Sequence, residues 1–248
     1  MALKHSFEKT GNTLFKYRGY IPIILFLLAI PFMFFANHQY YYNKKTYTFI
    51  VVTSIVVSCL GELFRCYTVA TTPKGTSGRN RDNQYAAKLN IDGVYSIVRH
   101  PLYFSNYLMW LGIMIFTGNI YLIIICSLLF FLYYERIMFA EECYLQEKFG
   151  EEFLNWSLKT PSFFPNFAKY KKSSTPFSFK SIIRREYSSV MALCLSFAFI
   201  DILRILIIEK KLNFNRVSIY IAIGSVILSL ILKIIRHKTN LLDEEDRS

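Results

Sequence analysis

The sequence predicts an all-α fold: a polytopic membrane helix bundle of about six transmembrane helices, with a tight helical hairpin at its centre. Hydrophobic residues make up 53% of the 248 residues, and the mean hydropathy is +0.29. Charged residues account for only 19% and are gathered between long apolar runs. Because a soluble domain of this size interleaves charged and apolar residues, we expect an integral, multi-pass membrane protein.

Each predicted span is an apolar run close to the roughly 20 residues that a membrane helix needs. The first two runs, 20–36 and 48–64, are joined by a short aromatic and basic loop. The run 103–134 is long enough for two spans, and its turn signal is Thr117-Gly118-Asn119, which predicts the tight hairpin. The last two runs are 188–208 and 217–235.

Polar segments between these runs divide the chain into four regions. We expect an N-terminal pair of spans, a central region with the hairpin, a basic linker at the membrane surface, and a C-terminal pair with its tail. The predicted boundaries are 1–64, 65–165, 166–186 and 187–248. Within the fifth span, Asp201 and Arg204 stand three residues apart, which predicts an ion pair on one helix face that braces the bundle.

Basic residues are concentrated in the N-terminal tail, in 65–100, in 135–186 and at the C-terminal end. The positive-inside bias therefore predicts that both termini and both long polar segments are cytoplasmic. The formal net charge is +12, but most of the basic residues lie between apolar spans. Membrane topology and anionic lipid account for them there, so we expect a membrane and not a nucleic acid as the partner.

The five cysteines, at positions 59, 66, 126, 143 and 194, form no C-x-x-C pair and have no regular spacing. This pattern predicts neither a disulfide framework nor a zinc site, and we expect no metal.

A first polar cluster, Arg99-His100-Pro101-Leu102-Tyr103, opens the central hairpin. Proline disfavours helix at the preceding residue and suits the first helical position, which places His100 near the N-cap. Unpaired backbone N–H groups and the positive helix end meet there, beside Arg99, so the cluster predicts an anion site. Tyr103 and Asn106 follow at three and six residues, towards the same side. The alternative is that Arg99 and His100 are interface anchors.

A second cluster, Glu141-Glu142, lies where the second helix of the hairpin continues past the membrane. Met138, Glu142 and Leu145 fall on one mostly apolar helical stripe, where a carboxylate needs a partner. In a hairpin, the start of the first helix and the end of the second lie on the same side. We therefore expect the two clusters to meet, the alternative being that the glutamates form a solvated face.

Both clusters belong to longer elements. The first is part of Gly93-Val94-Tyr95-Ser96-Ile97-Val98-Arg99-His100-Pro101-Leu102-Tyr103, and the second begins Glu141-Glu142-Cys143-Tyr144-Leu145 and continues to Phe149-Gly150. In this order they resemble the G-x-Y-x-x-x-R-H-P-x-Y and E-E-x-x-L-x-x-x-F-G-x-x-Y-x-x-Y elements of the isoprenylcysteine carboxyl methyltransferase and phospholipid methyltransferase superfamily. Gly61-Glu62-Leu63-Phe64-Arg65 resembles the end of the preceding span in that family. Phe153 and Trp156 stand where relatives have tyrosines.

The resemblance implies an enzyme that uses S-adenosyl-L-methionine, bound in a cavity at the cytoplasmic rim. By position, it implies cofactor-binding roles for Tyr95, His100, Pro101, Tyr103, Glu141 and Glu142. It implies catalytic roles for Arg99, Arg65 and Glu142. The chain has no G-x-G-x-x-G motif after a strand, so a soluble Rossmann-type methyltransferase domain is not expected.

The acceptor is predicted to be a lipid or a lipidated molecule in the membrane. Arg65, Arg99 and the basic loop 74–81 favour an anionic group, which needs an orienting arginine but no base. This predicts O-methylation of a carboxylate or of a lipid phosphate, for which the family resemblance implies isoprenylcysteine and lipid A as the two candidate acceptors. The loop 74–81 is interpreted as a flap over the cytoplasmic mouth, the alternative being a plain solvated loop.

Three alternatives remain at this stage. The first is N-methylation of a phospholipid amine, for which His100 or a glutamate would provide a route for the proton. The second is an NADPH-dependent membrane reductase of the steroid reductase type, which carries a similar R-H-P-x-Y element. The third is a membrane scaffold or small transporter without catalytic activity.

Overall fold

The computed structural model describes residues 2–36, 38–73, 75 and 84–244. In this part of the chain there is no β-strand, only one isolated β-bridge, between Gly93 and Lys171. The described residues form nine α-helices: α1 Leu3–Tyr17, α2 Ile21–Phe34, α3 Gln39–Tyr42, α4 Lys44–Ala70, α5 Pro101–Phe116, α6 Ile120–Phe149, α7 Glu151–Ser157, α8 Phe179–Glu209 and α9 Val217–Lys238. The predicted all-α membrane helix bundle is confirmed.

Four of these helices, α4, α6, α8 and α9, are long and apolar enough to cross a membrane. The other two predicted spans are shorter than expected. Helix α2 has 14 residues and α5 has 16, which corresponds to about 21 and 24 Å at 1.5 Å per residue. A hydrocarbon core is about 30 Å thick, so these two helices fall short of it on their own.

The N-terminal segment is a helix and not the basic tail that the sequence analysis described. Phe7, Gly11 and Phe15 recur every four residues along α1, and this face packs against α6. Phe7 and Phe139 form an edge-to-face pair 5.8 Å apart, and Gly11 lies directly beside the carbonyl of Arg136. The mixed charges of the segment concealed its apolar stripe.

The predicted hairpin turn is confirmed, since α5 ends at Phe116 and α6 begins at Ile120. Asn119 caps α6, and its side chain accepts hydrogen bonds from the backbone N–H groups of Tyr121 and Leu122. Gly118 has φ +72°, and a Cβ atom there would stand 2.5 Å from the Tyr40 ring. The turn is therefore short because it contains a glycine and a capping asparagine.

Helices α4 and α5 approach each other closely. A Cβ atom on Gly61 would lie 2.8 Å from the Ser105 carbonyl oxygen, and Ser58 Oγ donates to the Met109 carbonyl at 3.0 Å. Small residues at such an interface allow two membrane helices to pack backbone to backbone. This packing places Arg65, one turn beyond Gly61, beside the polar start of α5.

Two of the three predicted boundaries between regions fall inside helices. Helix α4 runs to Ala70, through the boundary at 64, and α8 begins at Phe179, within the expected linker 166–186. The segment before α8 folds back along the 93–100 turn. There Arg99 N–H donates to the Pro161 carbonyl, and His100 N–H donates to the Ser162 carbonyl. Backbone pairing of residues more than 60 positions apart was not visible in the sequence.

The predicted contact between Asp201 and Arg204 is confirmed at 3.8 Å, but Asp201 has a closer basic partner. Arg216, which precedes α9, donates to both Asp201 oxygens at 3.1 Å. Fully buried Arg204 donates to the Phe116 carbonyl. The brace therefore joins α8 to the start of α9 and to the hairpin turn.

Candidate active site

The first polar cluster is positioned by a short apolar turn. Val94, Ile97 and Val98 form a small buried core, around which the chain turns into α5. His100 stands at the N-cap of α5 with Pro101 at its first helical position, as predicted. This apolar core holds the turn in place, and Arg99 and His100 follow it directly at the start of α5.

Arg99 connects the two clusters. Its Nε and Nη2 donate to the two carboxylate oxygens of Glu142, at 2.8 and 3.2 Å. Its Nη1 donates to the carbonyls of Ser157 and Thr160, at 2.6 and 2.7 Å. This bidentate, charge-assisted contact ties the start of α5 to α6 and to the end of α7.

His100 lies between the two glutamates. Its Nε2 is 2.9 Å from Glu142 Oε1, and its Nδ1 is 3.3 Å from Glu141 Oε2. Tyr103 stacks on the imidazole, with ring centroids 5.6 Å apart, and its hydroxyl donates to Glu141 Oε1 at 2.7 Å. The expected meeting of the two clusters is thus observed, with one acid on each ring nitrogen.

The electrostatics of the rim follow from this packing. Burial lowers the pKa of His100, but hydrogen bonds and the charges of Glu141 and Glu142 outweigh it, so that the pKa is raised above 6.5. Burial also raises the pKa of Tyr95 to about 12, so its phenol is neutral at physiological pH. The site therefore combines acids, a protonatable imidazole and neutral phenols.

Arg65 belongs to a second group of polar residues, which lies on α4, α5 and α8. Its Nε donates to Glu186 at 2.6 Å and its Nη1 to Asn106 at 2.9 Å. Glu62, one turn earlier on α4, accepts from Ser189 at 3.1 Å. Arg65 is thereby held between α5 and α8, away from Glu142.

Both groups border one cavity of about 680 Å³, within the range of small-molecule sites. Its rim holds Tyr95, His100, Tyr103, Glu141 and Trp156. The cavity continues along α5 past Asn106 and Met109 to Ile113, about three helical turns beyond Pro101. Leu193 on α8 faces the same space. One end of the cavity is therefore polar and aromatic, and the other lies among membrane-spanning helices.

The structure brings together most of the predicted site residues. The following predicted residues line the cavity: Arg65, Tyr95, Arg99, His100, Pro101, Tyr103 and Glu141. Glu142 is not part of the lining, and its contacts are with Arg99 and His100. Arg136, also on α6, faces α1, with its guanidinium 3.2 Å from the centre of the Phe7 ring. Most of the loop 74–81 lies outside the described residues.

Sequence reasoning missed two contributions to the lining. Helix α1 adds Phe15, and α8 adds Arg185 and Glu186, both buried. For the two α8 residues, the sequence did contain a signal. Two charged residues stand at 185 and 186, inside a helix that continues directly into an apolar span. Such charges usually face an interior or a polar cavity.

Comparisons with known proteins give one matching family model and several relatives. The phospholipid methyltransferase family model matches residues 48–152. The nickel-cobalt-cadmium resistance protein NccN of Alcaligenes xylosoxydans xylosoxydans is 30% identical over 128 residues, which are 52% of this chain and 57% of that protein. The protein-S-isoprenylcysteine O-methyltransferase of Schizosaccharomyces pombe is 30% identical over 112 residues, 43% of this chain and 46% of that protein. No solved structure matches the chain.

A third relative is the cobalt-zinc-cadmium resistance protein CzcN of Cupriavidus metallidurans, 36% identical over 83 residues, 34% of this chain and 38% of that protein. The chain spans about half the length of the curated relatives it matches. Among the described residues, no group of three His, Cys, Asp or Glu side chains is arranged to hold a metal ion. That no metal binds stays a prediction.

Fold and site together define an integral membrane helix bundle whose central hairpin carries a polar cavity at one rim. The matched segment contains both halves of that rim, Arg99-His100 and Glu141-Glu142. Residues 48–152 are therefore similar to the phospholipid methyltransferase family in the segment that builds this site.

Proposed function

We propose that this protein transfers a methyl group from S-adenosyl-L-methionine to an anionic oxygen of a lipid or lipidated acceptor. One observation carries the proposal: a single cavity joins the acidic, aromatic rim to a basic and apolar interior. The rim suits a polar donor, and the interior suits an acceptor that enters from the membrane. Similarity of residues 48–152 to the phospholipid methyltransferase family, and of part of the chain to a protein-S-isoprenylcysteine O-methyltransferase, supports methyl transfer as the reaction class.

The residues of the rim fit the donor. Glu141 provides a carboxylate on the cavity wall, suited to a sulfonium or ammonium cation. Tyr95, Tyr103 and Trp156 provide aromatic faces, which also favour cations and stack on a purine. Trp156 is held in place because its Nε1 donates to the Tyr95 carbonyl at 3.1 Å.

We assign different roles to the three residues predicted as catalytic. Glu142 and Arg99 are positioning residues: the Glu142 carboxylate holds Arg99 and His100 together, and Arg99 closes α7 against the rim. Arg65 lines the cavity nearer the interior, where it contributes positive charge to the side that receives the acceptor.

When bound, S-adenosyl-L-methionine supplies a sulfonium methyl group, so transfer to an anionic oxygen breaks a C–S bond, forms a C–O bond and cancels both charges. The chain contributes orientation and a water-poor site. The buried turn at Val94–Val98 and the Arg99 contacts hold the rim rigid. No side chain has to remove a proton from a carboxylate or phosphate acceptor.

Ligand binding to the detergent-solubilised protein tests the donor class. S-adenosylhomocysteine should raise the melting temperature, and NADPH should not, because only a ligand that binds the folded state stabilises it. Stabilisation by NADPH alone would favour the membrane reductase, and stabilisation by neither would favour a scaffold or transporter. Transfer of a labelled methyl group into an extracted lipid fraction, identified by mass spectrometry, then tests the acceptor class.

A further inference from the structure

We propose that the segment 161–180, called the strap from here on, docks on the anionic head groups of a membrane leaflet and thereby holds the active-site turn 93–100 in place. The strap follows α7, includes the first two residues of α8 and lies outside the matched segment 48–152. Docking of this kind goes beyond the proposed function, because it concerns a lipid surface beside the site and does not depend on which reaction the site performs.

The strap is attached where apolar runs of the bundle end. Phe163 is buried against Phe104 of α5 and Phe131 of α6, with ring centroids 5.8 and 5.1 Å away. Near the end of α4, the Tyr67 hydroxyl lies 2.6 Å from the Tyr170 hydroxyl. Helices α4 and α6 are long and apolar enough to cross a membrane, and charged residues follow Phe131 within one turn. These contacts therefore place the strap near the boundary between hydrocarbon and water.

The strap exposes aromatic rings and lysines together. Phe164, Phe167 and Phe179 are 65, 66 and 73% exposed. The exposed basic residues of the strap are Lys169, Lys171, Lys172 and Lys180. This combination is typical of a surface that lies on a membrane, because apolar rings enter the head-group region and lysine ammonium groups are attracted to anionic lipid.

The charge of the strap has one sign. From Phe153 to Arg185 the sequence contains neither Asp nor Glu. Within the described part of the chain, none of the four strap lysines forms an ion pair. An anionic leaflet would complement these lysines at the depth where the rings lie. A soluble polyanion would match the charge, but it would leave the exposed rings without an apolar partner.

The strap is also bonded directly to the turn that carries the rim. The Lys171 carbonyl accepts from Gly93 N–H at 3.0 Å, and Lys171 N–H donates to Ser96 Oγ at 2.9 Å. Two further carbonyls of the strap accept from the N–H groups of Arg99 and His100, at 2.9 and 3.1 Å. A lysine that we assign to lipid binding is thus hydrogen-bonded through its backbone to the active-site turn. Docking of the strap should therefore oppose local opening of the turn as well.

Hydrogen–deuterium exchange on the full-length protein in lipid nanodiscs tests this proposal. Discs of phosphatidylcholine alone are compared with discs that also contain phosphatidylglycerol. In the anionic discs, the amides of 161–180 and of 93–103 should exchange more slowly by about fivefold or more, because lipid bound to the docked strap reduces its opening. High salt should remove the difference by screening the attraction. Equal exchange in both kinds of disc at low salt would overturn the proposal.

Substitution of the four lysines tests whether they are responsible. The variant K169Q/K171Q/K172Q/K180Q should lose the difference between the discs, whereas K169R/K171R/K172R/K180R keeps the charge and should retain it. The control K44Q/K45Q/K210Q/K211Q removes the same charge at the opposite ends of α4 and α8, and should behave as the wild type does. Loss of the difference in the control, or its retention in the strap glutamine variant, would contradict the role of the strap lysines.

A soluble polyanion distinguishes the lipid surface from other anionic partners. Heparin added to phosphatidylcholine discs should slow exchange of the wild-type strap less than phosphatidylglycerol does, because it offers no apolar layer for the exposed rings. An equal effect of heparin would reject the lipid surface in favour of a soluble acidic partner. Circular dichroism checks that each variant retains its helices, and the wild-type comparison decides the proposal if a glutamine variant does not fold.

Discussion

Glu142 shares its carboxylate between two cationic groups that differ in function. It accepts from Arg99 with both oxygens, and one of these oxygens also contacts His100. Replacement of Glu142 by glutamine removes the negative charge that Arg99 and His100 share and leaves one acceptor oxygen in place of two, so the charge of both groups is less well compensated. The lost charge changes the cavity through His100, which lines it, although Glu142 does not.

We therefore expect E142Q to weaken S-adenosylhomocysteine binding by about tenfold or more while the helical fold is retained. Isothermal titration calorimetry on the solubilised protein measures the affinity, and circular dichroism measures the helix content. E147Q is the control, because Glu147 lies on the same helix, is exposed and does not line the cavity. Equal affinities for E142Q and E147Q would contradict the positioning role of Glu142.

His100 makes the rim sensitive to pH. Its pKa is raised in the folded protein above the ordinary value of 6.5, against the effect of burial, by Glu141 and Glu142. A group whose pKa is raised on folding stabilises the folded state fully below its unfolded pKa. That stabilisation is lost as the pH rises through the folded pKa.

The expected result is a difference in melting temperature between the wild type and H100N that is largest below pH 6.5 and shrinks as the pH rises above it. Thermal unfolding between about pH 5.5 and 9 measures it. H237N, at an exposed position on α9, controls for the loss of an imidazole. A difference that grows with rising pH would have the wrong sign and would reject this account of His100.

At the scale of elements, the α5–α6 hairpin decides whether the two clusters meet. Both clusters lie at the same end of the hairpin, which the charge distribution predicts to be cytoplasmic, and the turn at the other end sets how the helices are aligned. A longer or strained turn would shift the start of α5 relative to the end of α6. The acids at 141 and 142 would then lose their register with His100.

We expect G118A to destabilise the protein by about 1–2 kcal/mol, because alanine is disfavoured at positive φ and its Cβ would collide with the Tyr40 ring. The shift in the thermal unfolding midpoint measures this. G224A is the control: Gly224 lies within α9 with no atom near the position of a new Cβ. It should be neutral or stabilising by up to about 1 kcal/mol. Equal midpoints for the two variants would contradict the proposed constraint at the turn.

At the scale of the whole molecule, the distribution of basic residues predicts how the protein is oriented in the membrane. The predicted six spans, which include the short helices α2 and α5, would return the chain to the side on which it begins. The basic residues near the N-terminus and near the active-site rim then share one side, which we expect to be the cytoplasm.

Cysteine labelling in intact cells tests this orientation. A membrane-impermeant maleimide should label K211C, in the loop between α8 and α9, above the level of the wild type with its native cysteines. It should leave S6C, on α1, at the wild-type level until the membrane is permeabilised. Labelling of S6C in intact cells would invert the predicted topology and place the active site outside.

Sequence patterns were sufficient wherever a feature depends on residues near each other in the chain. Hydropathy determined the membrane class and the positions of α4, α6, α8 and α9, and glycine with asparagine determined the hairpin turn. Proline after His100 determined the start of α5. The same patterns did not reveal α1 or the shortness of α2, because helix length and docking depend on the partners that cover each face.

The sequence by itself thus determined the helix bundle, its central hairpin and both halves of the rim, since each is encoded by local periodicity or a contiguous motif. Only the tertiary structure decided which charges share the cavity. Arg65 meets Glu186 across 121 positions, and Arg99 meets Glu142 across 43. A buried charge is stabilised by whichever group packing brings within about 3 Å, and no local pattern specifies that group.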